Sequence, residues 1–347
     1  MSDALPSPNA SDAVQSTGGP QAVTPGGGPP AAGVFSLDRP ASGLYLVAWL
    51  LTGIGLATLI IAVISTAGAR SQLAMAGLAA MSLGLAAACG SQVVERRVSR
   101  PEAAYRGPSP VLGFFTAAVL SGSAAVVLGI AGLLDPAAGS GFLLGLLLVA
   151  AGYFVVVVFF VVRTGALTWV QMGWPAPPGR VSRLLSDAGF GLLVTVPVLV
   201  PVLLGAGILA AILDVQPTGR IPPVEGVTAT ILVVLGAAVV APIAEEVFFR
   251  GFALSAWQRD LGPRSALIRS AVFFALVHIA NVGGATFGDA AREAILQVAV
   301  ILPLGFVLGW AYQRRGIGAS IAGHIGYNGT LLVLAAFAGQ LGGGAAA

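Results

Sequence analysis

The sequence contains very little charge. Only 9% of its 347 residues are charged, none is lysine, and all 17 basic residues are arginines. An ordinary soluble domain has roughly 25% charged residues, whereas 56% of this chain is hydrophobic. The composition therefore argues against a soluble globular protein and favours an integral membrane protein. The net charge of +3 is small and spread through loops, so a nucleic-acid partner is not indicated.

Cysteine is nearly absent as well. Cys89 is the single cysteine of the sequence and lies inside an apolar segment. An intramolecular disulfide and a cysteine-based metal site are therefore excluded.

The remaining sequence is dominated by apolar segments of the length that a spanning helix needs, ~20 residues. Nine such segments predict an all-α, polytopic transmembrane bundle, with spans near residues 43–66, 72–92, 109–134, 140–162, 187–213, 227–250, 264–280, 291–312 and 317–339.

Residues 1–42 differ from this pattern because they are rich in Pro, Gly, Ser and Ala and have few large aliphatic side chains. Such a segment cannot bury a core, so we expect a disordered tail. The start has no basic region followed directly by an apolar one, as a cleaved signal peptide would have. The first span is therefore expected to act as an uncleaved signal anchor.

Arginines predict the orientation, because every second connection is rich in them. The rich connections are the loop 95–107, the segment after the fourth span, the turn after the sixth span and the end of the eighth span. By the positive-inside rule these connections are cytoplasmic. We therefore expect a multi-pass plasma-membrane protein with a cytoplasmic amino terminus and an external carboxyl terminus.

The segment 166–186 divides the predicted bundle into two parts. It separates a four-helix module, residues 43–165, from a five-span part, residues 187–340. The segment contains Pro, Trp and Arg, so part of it is expected either to lie along the membrane interface or to form a simple cytoplasmic loop.

Three charges lie together in the sixth span, in the stretch APIAEEVFFRG, 241–251. A charge at the centre of a spanning helix costs ~2.5 to 3.5 kcal/mol on insertion scales. Glu246 and Arg250 are four residues apart and can form an ion pair, whereas Glu245 is rotated about 100° away from Glu246. Pro242 removes a backbone donor and predicts a local kink. Either the pair only fixes helix packing and Glu245 snorkels, or Glu245 is available for chemistry.

Both histidines of the chain lie in predicted spans. The turn between the sixth and seventh spans is placed at 258–264. Glu245 and His278 are each about 16 residues from its centre, which puts them at one height, about 24 Å along antiparallel helices. A lone histidine on an apolar face is usually a packing residue, but two at such positions are harder to dismiss.

His324 and Asn328 follow the turn at 313–318 and share one helical face. If the preceding hairpin extends about 10 Å farther into the cytoplasm, these residues reach the depth of Glu245 and His278. A carboxylate and an imidazole can activate a water, and a second histidine with an amide can stabilise an oxyanion. The same side chains could instead hold zinc, although the HExxH motif is absent.

These motifs resemble those of the CAAX-protease and bacteriocin-processing family of intramembrane endopeptidases, also called the Abi family, which includes the type II CAAX prenyl endopeptidases. The family pattern EExxxR, FxxxH and HxxxN matches EEVFFR from Glu245 to Arg250, FALVH from Phe274 to His278 and HIGYN from His324 to Asn328. The resemblance covers residues 227–340, and it implies that the five-span part, residues 187–340, is the catalytic membrane domain.

The resemblance implies a role for each of these positions. Glu245 resembles the glutamate that activates water with His278, and His324 and Asn328 resemble the oxyanion-stabilising pair. The supporting residues implied are Glu246, Arg250 and Phe274. The family has been described both as metalloproteases and as glutamic proteases, so a divalent metal such as zinc stays open, with Glu245, His278 and His324 as its ligands. No other cofactor is implied.

The predicted function is therefore an endopeptidase acting on a peptide or protein substrate at the membrane. Two alternatives remain at this point. A non-catalytic scaffold or immunity protein would retain the fold, and a proton-coupled transporter would also use intramembrane Glu and His. The sequence does not indicate whether the substrate is prenylated or which oligomer forms.

Overall fold

The computed structural model describes residues 38–176, 179–215, 226–283 and 286–343, and all regular structure in these ranges is helical. Within them the α-helices are α1 (Ser42–Ile64), α2 (Ala67–Ser99), α3 (Pro110–Ile130), α4 (Gly139–Val156), α5 (Arg180–Thr195), α6 (Leu199–Leu213), α7 (Val227–Leu235), α8 (Ala241–Glu245), α9 (Ser255–Leu261), α10 (Pro263–Val277), α11 (Phe287–Arg315) and α12 (Ile317–Gly343). The predicted tail lies outside the described residues up to position 37.

These helices form nine segments that are long and apolar enough to cross a membrane, counted over the described ranges. The predicted all-α bundle with nine spans is thus confirmed. The fifth span joins α5 to α6 through a 3-10 turn, Val196–Val198. The sixth span, Val227–Leu261, joins α7, α8 and α9 through two π-helical segments, Gly236–Val240 and Glu246–Leu254.

Two tight turns lie where the sequence places them. Gly262 (φ 79°) separates α9 from α10, and Gly316 (φ 85°) separates α11 from α12. Glycine adopts a positive φ without the steric cost that a Cβ brings. Pro263 then occupies the first turn of α10, where its missing N–H has no helical partner to lose. The two turns therefore lie at the positions that the sequence predicts.

The fifth span begins earlier than predicted. Its helix starts at Arg180 rather than at 187, so residues 180–186 belong to neither a simple loop nor a separate interfacial helix. The polar side chains of residues 180–186 interrupt the apolar run, so hydropathy alone places the start of the span too late. One face of α5 packs against α11 and α12, and the opposite face can carry these polar side chains. Gly191 permits this packing, since a Cβ there would collide with the Ala319 carbonyl.

The loop between α2 and α3 is fixed by Tyr105, which is 1% exposed. Its hydroxyl donates to the Pro108 carbonyl at 2.7 Å, and its ring packs against Phe252 of the sixth span. Burial raises the pKa of the Tyr105 hydroxyl well above its usual range, and Arg96 opposes that shift only in part. The loop thereby anchors the start of α3 to the sixth span.

The core lies around the second π-helical segment of the sixth span, whose nine residues are all buried. Phe248 stacks on Tyr153 of α4 at 4.6 Å between ring centroids, and Phe249 contacts Phe274 of α10 at 5.1 Å. The sixth span is therefore the central helix of the bundle, and α4, α10, α11 and α12 enclose it.

Candidate active site

Pro242 organises the backbone at the start of the site. The Ala241 N–H bonds to the Gly236 carbonyl, five residues back, as in a π-helix. In that register the Ala237 carbonyl would pair with the nitrogen of Pro242, which has no hydrogen. Asn328 of α12 supplies the missing donor, its Nδ2 lying 3.0 Å from the Ala237 oxygen. Pro242 thus follows a π-helical segment whose Ala237 carbonyl ties α12 to the sixth span, and the kink stays a prediction.

The predicted Glu246–Arg250 ion pair is present and fully buried. Arg250 Nη1 lies 2.7 Å from Glu246 Oε1, and both side chains are 0% exposed. Nη2 of Arg250 also donates to the Gly305 carbonyl of α11 at 3.3 Å. The guanidinium carbon lies 4.1 Å from the centre of the Phe274 ring, a cation–π contact. Arg250 therefore links the sixth span to α10 and α11.

His324 lies between the two glutamates. Its Nδ1 is 2.9 Å from Glu246 Oε1, and its Nε2 is 3.8 Å from Glu245 Oε2. Since a carboxylate paired with Arg250 can only accept, Nδ1 carries the proton of this hydrogen bond. The His324 ring is therefore oriented with Nε2 directed toward Glu245.

His278 is held by its own helix end. Its Nδ1 lies 2.6 Å from the Phe274 carbonyl, and because a carbonyl only accepts, Nδ1 is the donor. Nε2 of the neutral ring then carries the lone pair. The ring also packs edge to face on Phe274, at 4.5 Å between centroids. Phe274 thus contacts both His278 and the Arg250 guanidinium.

Glu245 and His278 line one cavity of about 380 Å³ between four spans. Glu245 is the exposed member of the glutamate pair, with 21% of its side chain accessible, whereas Glu246 is fully buried. The opposite wall belongs to the amino-terminal module: Phe114, Ser121 and Gly122 of α3, and Gly145 and Tyr153 of α4, are among its residues. A carboxylate and an imidazole therefore face an apolar, membrane-level space.

His324 and Asn328 are not among the residues that line this cavity. His324 lies behind Glu245 and is 3% exposed, and one amide hydrogen of Asn328 is committed to Ala237. The structure thus brings Glu245, Glu246, Arg250 and His324 into contact and places Asn328 against the backbone nearby. The oxyanion role of His324 and Asn328 stays a prediction.

The residues named for a metal do not form a metal site in this arrangement. Within the described ranges, no group of three or more His, Cys, Asp or Glu side chains is positioned to hold an ion. A catalytic zinc site needs about three protein ligands around one point. The Nδ1 contacts of both histidines do not bear on this point, because a histidine that binds a metal through Nε2 also donates Nδ1–H to a carbonyl or a carboxylate. No step of the chemistry is therefore assigned to a metal.

Comparison with known proteins supports the motif assignment. Residues 227–330 match the family model of Rce1-like proteins, described as type II CAAX prenyl endopeptidase Rce1-like. This part of the chain belongs to that family. The match begins with the sixth span and includes each predicted site residue. No curated protein and no solved structure matches the chain.

The nine candidate spans of the described ranges indicate a multi-pass membrane protein, and its segment 227–330 is similar to a CAAX-type protease family. The cavity wall formed by α3 and α4 was missed by sequence reasoning, since Tyr153 and Gly122 carry no motif and Gly145, four residues after Gly141, indicates only close helix packing. The one local signal is that Tyr153 places a hydroxyl within a span that otherwise has apolar and small residues.

We expect Arg250→Met to lower the free energy of unfolding by about 3 to 5 kcal/mol, because Glu246 is then buried without its counter-charge. The double variant Glu246→Gln/Arg250→Met should be less destabilised than Arg250→Met alone, since it leaves no unpaired charge. Unfolding in a denaturing detergent measures the free energy of unfolding of each variant. The control is Arg264→Met, at the exposed start of α10. Wild-type stability of Arg250→Met would contradict the expectation.

Proposed function

We propose that the protein is an intramembrane endopeptidase that hydrolyses a peptide bond in the cavity between α3, α4, α10 and the sixth span. The observation that carries this proposal is that Glu245 and His278 share the cavity, with His324 Nε2 3.8 Å behind Glu245. The Rce1-like family of residues 227–330 supports the same reaction class.

Water activation is assigned to Glu245 and His278. The Glu245 carboxylate takes a proton from a water that Nε2 of His278 also holds, and the water oxygen attacks the carbonyl carbon of the peptide bond. The carbonyl π bond opens to an oxyanion. When the oxyanion collapses, the C–N bond breaks and Glu245 returns the proton to the leaving nitrogen. Glu245 suits this role because it is the accessible carboxylate, whereas Glu246 is bound by Arg250 and His324.

Oxyanion stabilisation is assigned to His324 and Asn328. This role requires a proton on Nε2 of His324, which lies 3.8 Å from Glu245 Oε2, behind that carboxylate and outside the cavity lining. The positive charge of the ring would then stabilise the oxyanion electrostatically rather than by a direct hydrogen bond. Asn328 has a second amide hydrogen beyond the one that binds Ala237.

The cavity also determines which substrate segment fits. Its walls are mostly apolar, so we infer that it binds an apolar stretch of a peptide or protein. Arginines concentrate at the ends of α2, α9 and α11, and the positive-inside rule makes that side cytoplasmic. The proposed site then lies within the plasma membrane, nearer its cytoplasmic face, with the amino terminus cytoplasmic and the carboxyl terminus external.

Glu245→Gln and His278→Asn should each lower the rate of peptide cleavage by at least about a hundredfold, because each removes part of the water-activating pair. Quantitative membrane proteomics of cells with wild-type protein and with Glu245→Gln would reveal substrates as proteins that shift in mass. Rates on such a substrate, measured with purified protein, then give the size of the effect.

The control for this experiment is Glu102→Gln, the same chemical change at an exposed position between α2 and α3. Membrane insertion and thermal unfolding of all variants show whether the fold is retained. Full cleavage activity in folded Glu245→Gln would contradict the proposed function.

Cleavage should persist in the presence of a strong chelator. The reason is geometric, since the described Glu and His side chains do not converge on one point as metal ligands must. The measurement is the cleavage rate of purified protein before and after chelator treatment. Loss of activity that zinc restores would contradict this expectation.

Gly122→Leu should slow cleavage at large apolar residues about tenfold or more while sparing cleavage at small ones, because a Cβ at Gly122 points into open space of the cavity. The control Gly129→Leu lies on the same helix, also has open space at its Cβ, and is outside the cavity wall. Cleavage-site profiles from a peptide library, read by mass spectrometry, compare the two variants. Identical profiles would contradict a substrate wall on α3.

A further inference from the structure

A second cavity of about 320 Å³ lies away from the candidate active site, where the sixth and eighth spans end. Its lining includes Arg259 near the end of α9, Arg314 in the last turn of α11, and Gln171 in the 3-10 turn Val170–Met172. The volume is that of a small-ligand pocket. None of its lining residues touches the water-activating pair in the proposed mechanism.

The cavity is rich in hydrogen-bond donors and has no carboxylate in its lining. The amide oxygen of Gln171 accepts from the Thr168 N–H, and that of Gln258 accepts from Gln313, so the NH₂ groups of Gln171 and Gln258 remain as donors. The Ser255 and Tyr312 hydroxyls bond to each other at 2.6 Å, and Ser255 also donates to the Arg250 carbonyl, so the free donors are those of the two glutamines and the two arginines. This set of donors suits an oxyanion rather than a cation.

Arg259 and Arg314 give the cavity its charge. No carboxylate lies within ion-pair distance of either guanidinium in the part of the chain that the structure describes, whereas the neighbouring Arg315 faces Asp187 at 3.9 Å. Two cations that line one cavity repel each other, and an anion between them removes that repulsion. A phosphate can accept hydrogen bonds from both planar guanidinium groups.

The frame of the cavity is rigid. Gly173 (φ 82°) packs against Gly316, where a Cβ on Gly316 would lie 2.6 Å from the Gly173 oxygen. The Ile317 N–H donates to the same carbonyl at 3.1 Å. The 170–173 turn is therefore fixed to the α11–α12 turn. The backbone that carries Gln171 on one side and Arg314 on the other is therefore held in place without a ligand, which lowers the entropy lost on binding.

The position of the cavity indicates the source of the anion. It lies at the ends of membrane-spanning helices, and Arg314 lies over the ring of the partly exposed Trp310 at 5.5 Å. Tryptophan and arginine at a helix end are typical of the headgroup region. We propose that this cavity binds a phosphate group, specifically the headgroup phosphate of an anionic phospholipid, between Arg259 and Arg314.

The test uses purified full-length protein in mixed micelles with either phosphatidylglycerol or phosphatidylcholine, with native mass spectrometry to count retained lipids. Wild-type protein should retain phosphatidylglycerol in preference to phosphatidylcholine. Arg259→Gln/Arg314→Gln should bind phosphatidylglycerol about tenfold or more weakly, because hydrogen bonds to two charged donors are lost.

The matched control is Arg264→Gln/Arg315→Gln, which also removes two positive charges, one at the start of α10 just after α9 and one at the end of α11, but outside the cavity. It should retain the lipid. Equal loss in both double variants would overturn the proposal, because it would indicate diffuse attraction to a basic surface. Unchanged binding in both would overturn it as well.

Two further arms keep the outcome decisive. Arg259→Lys/Arg314→Lys retains the charge but not the planar guanidinium, so it should bind phosphatidylglycerol with an affinity between those of the wild type and the Gln variant. Partial binding by the lysine variant would show that substitution at these two positions does not by itself unfold the protein. Glycerol phosphate and inorganic phosphate, added to wild-type protein with neutral detergent, test a soluble source. Thermal stabilisation by these anions that matches the effect of phosphatidylglycerol would overturn the lipid assignment in favour of a soluble phosphate.

Discussion

The structure depends on a buried ion pair in the middle of a membrane helix. Glu246 and Arg250 are fully buried, and Glu246 Oε2 and Arg250 Nε have no hydrogen-bond partner among the described residues. A buried pair that is only partly satisfied stabilises a fold less than well-packed apolar side chains would. Its presence is better explained by what it positions, because the pair also binds His324 of α12 and Gly305 of α11.

The ion pair separates two carboxylates that are adjacent in sequence. Arg250 and His324 both bind the Glu246 carboxylate, whereas Glu245 lines the cavity. The four carboxy-terminal spans of the Rce1-like segment supply the polar groups, and α3 and α4 supply the facing wall. The residues assigned to the proposed chemistry thus lie within the family match, residues 227–330, whereas the amino-terminal module lines the space in which a substrate would lie.

Sequence reasoning succeeded where geometry is local or set by a short turn. The Glu246–Arg250 contact follows from a four-residue spacing, and Gly262 and Gly316 fix two hairpins whose registers bring α12 to the sixth span. It was incomplete where contacts join distant segments. The start of α5 is hidden because its polar residues interrupt the apolar run, and the α3–α4 wall is built from residues such as Gly122, whose only signal is their small size.

The contact of Asn328 with Ala237 shows why one motif residue can serve structure and chemistry together. Pro242 cannot donate, so the π-helical register leaves the Ala237 carbonyl unpaired unless another chain segment supplies a donor. An unpaired carbonyl in hydrocarbon costs several kcal/mol, roughly 2 to 7 depending on the reference state. Asn328 meets that need from α12 and keeps a second N–H. Because the same helix also carries His324, the hydrogen bond to the Ala237 carbonyl also sets the depth of His324 beside Glu245.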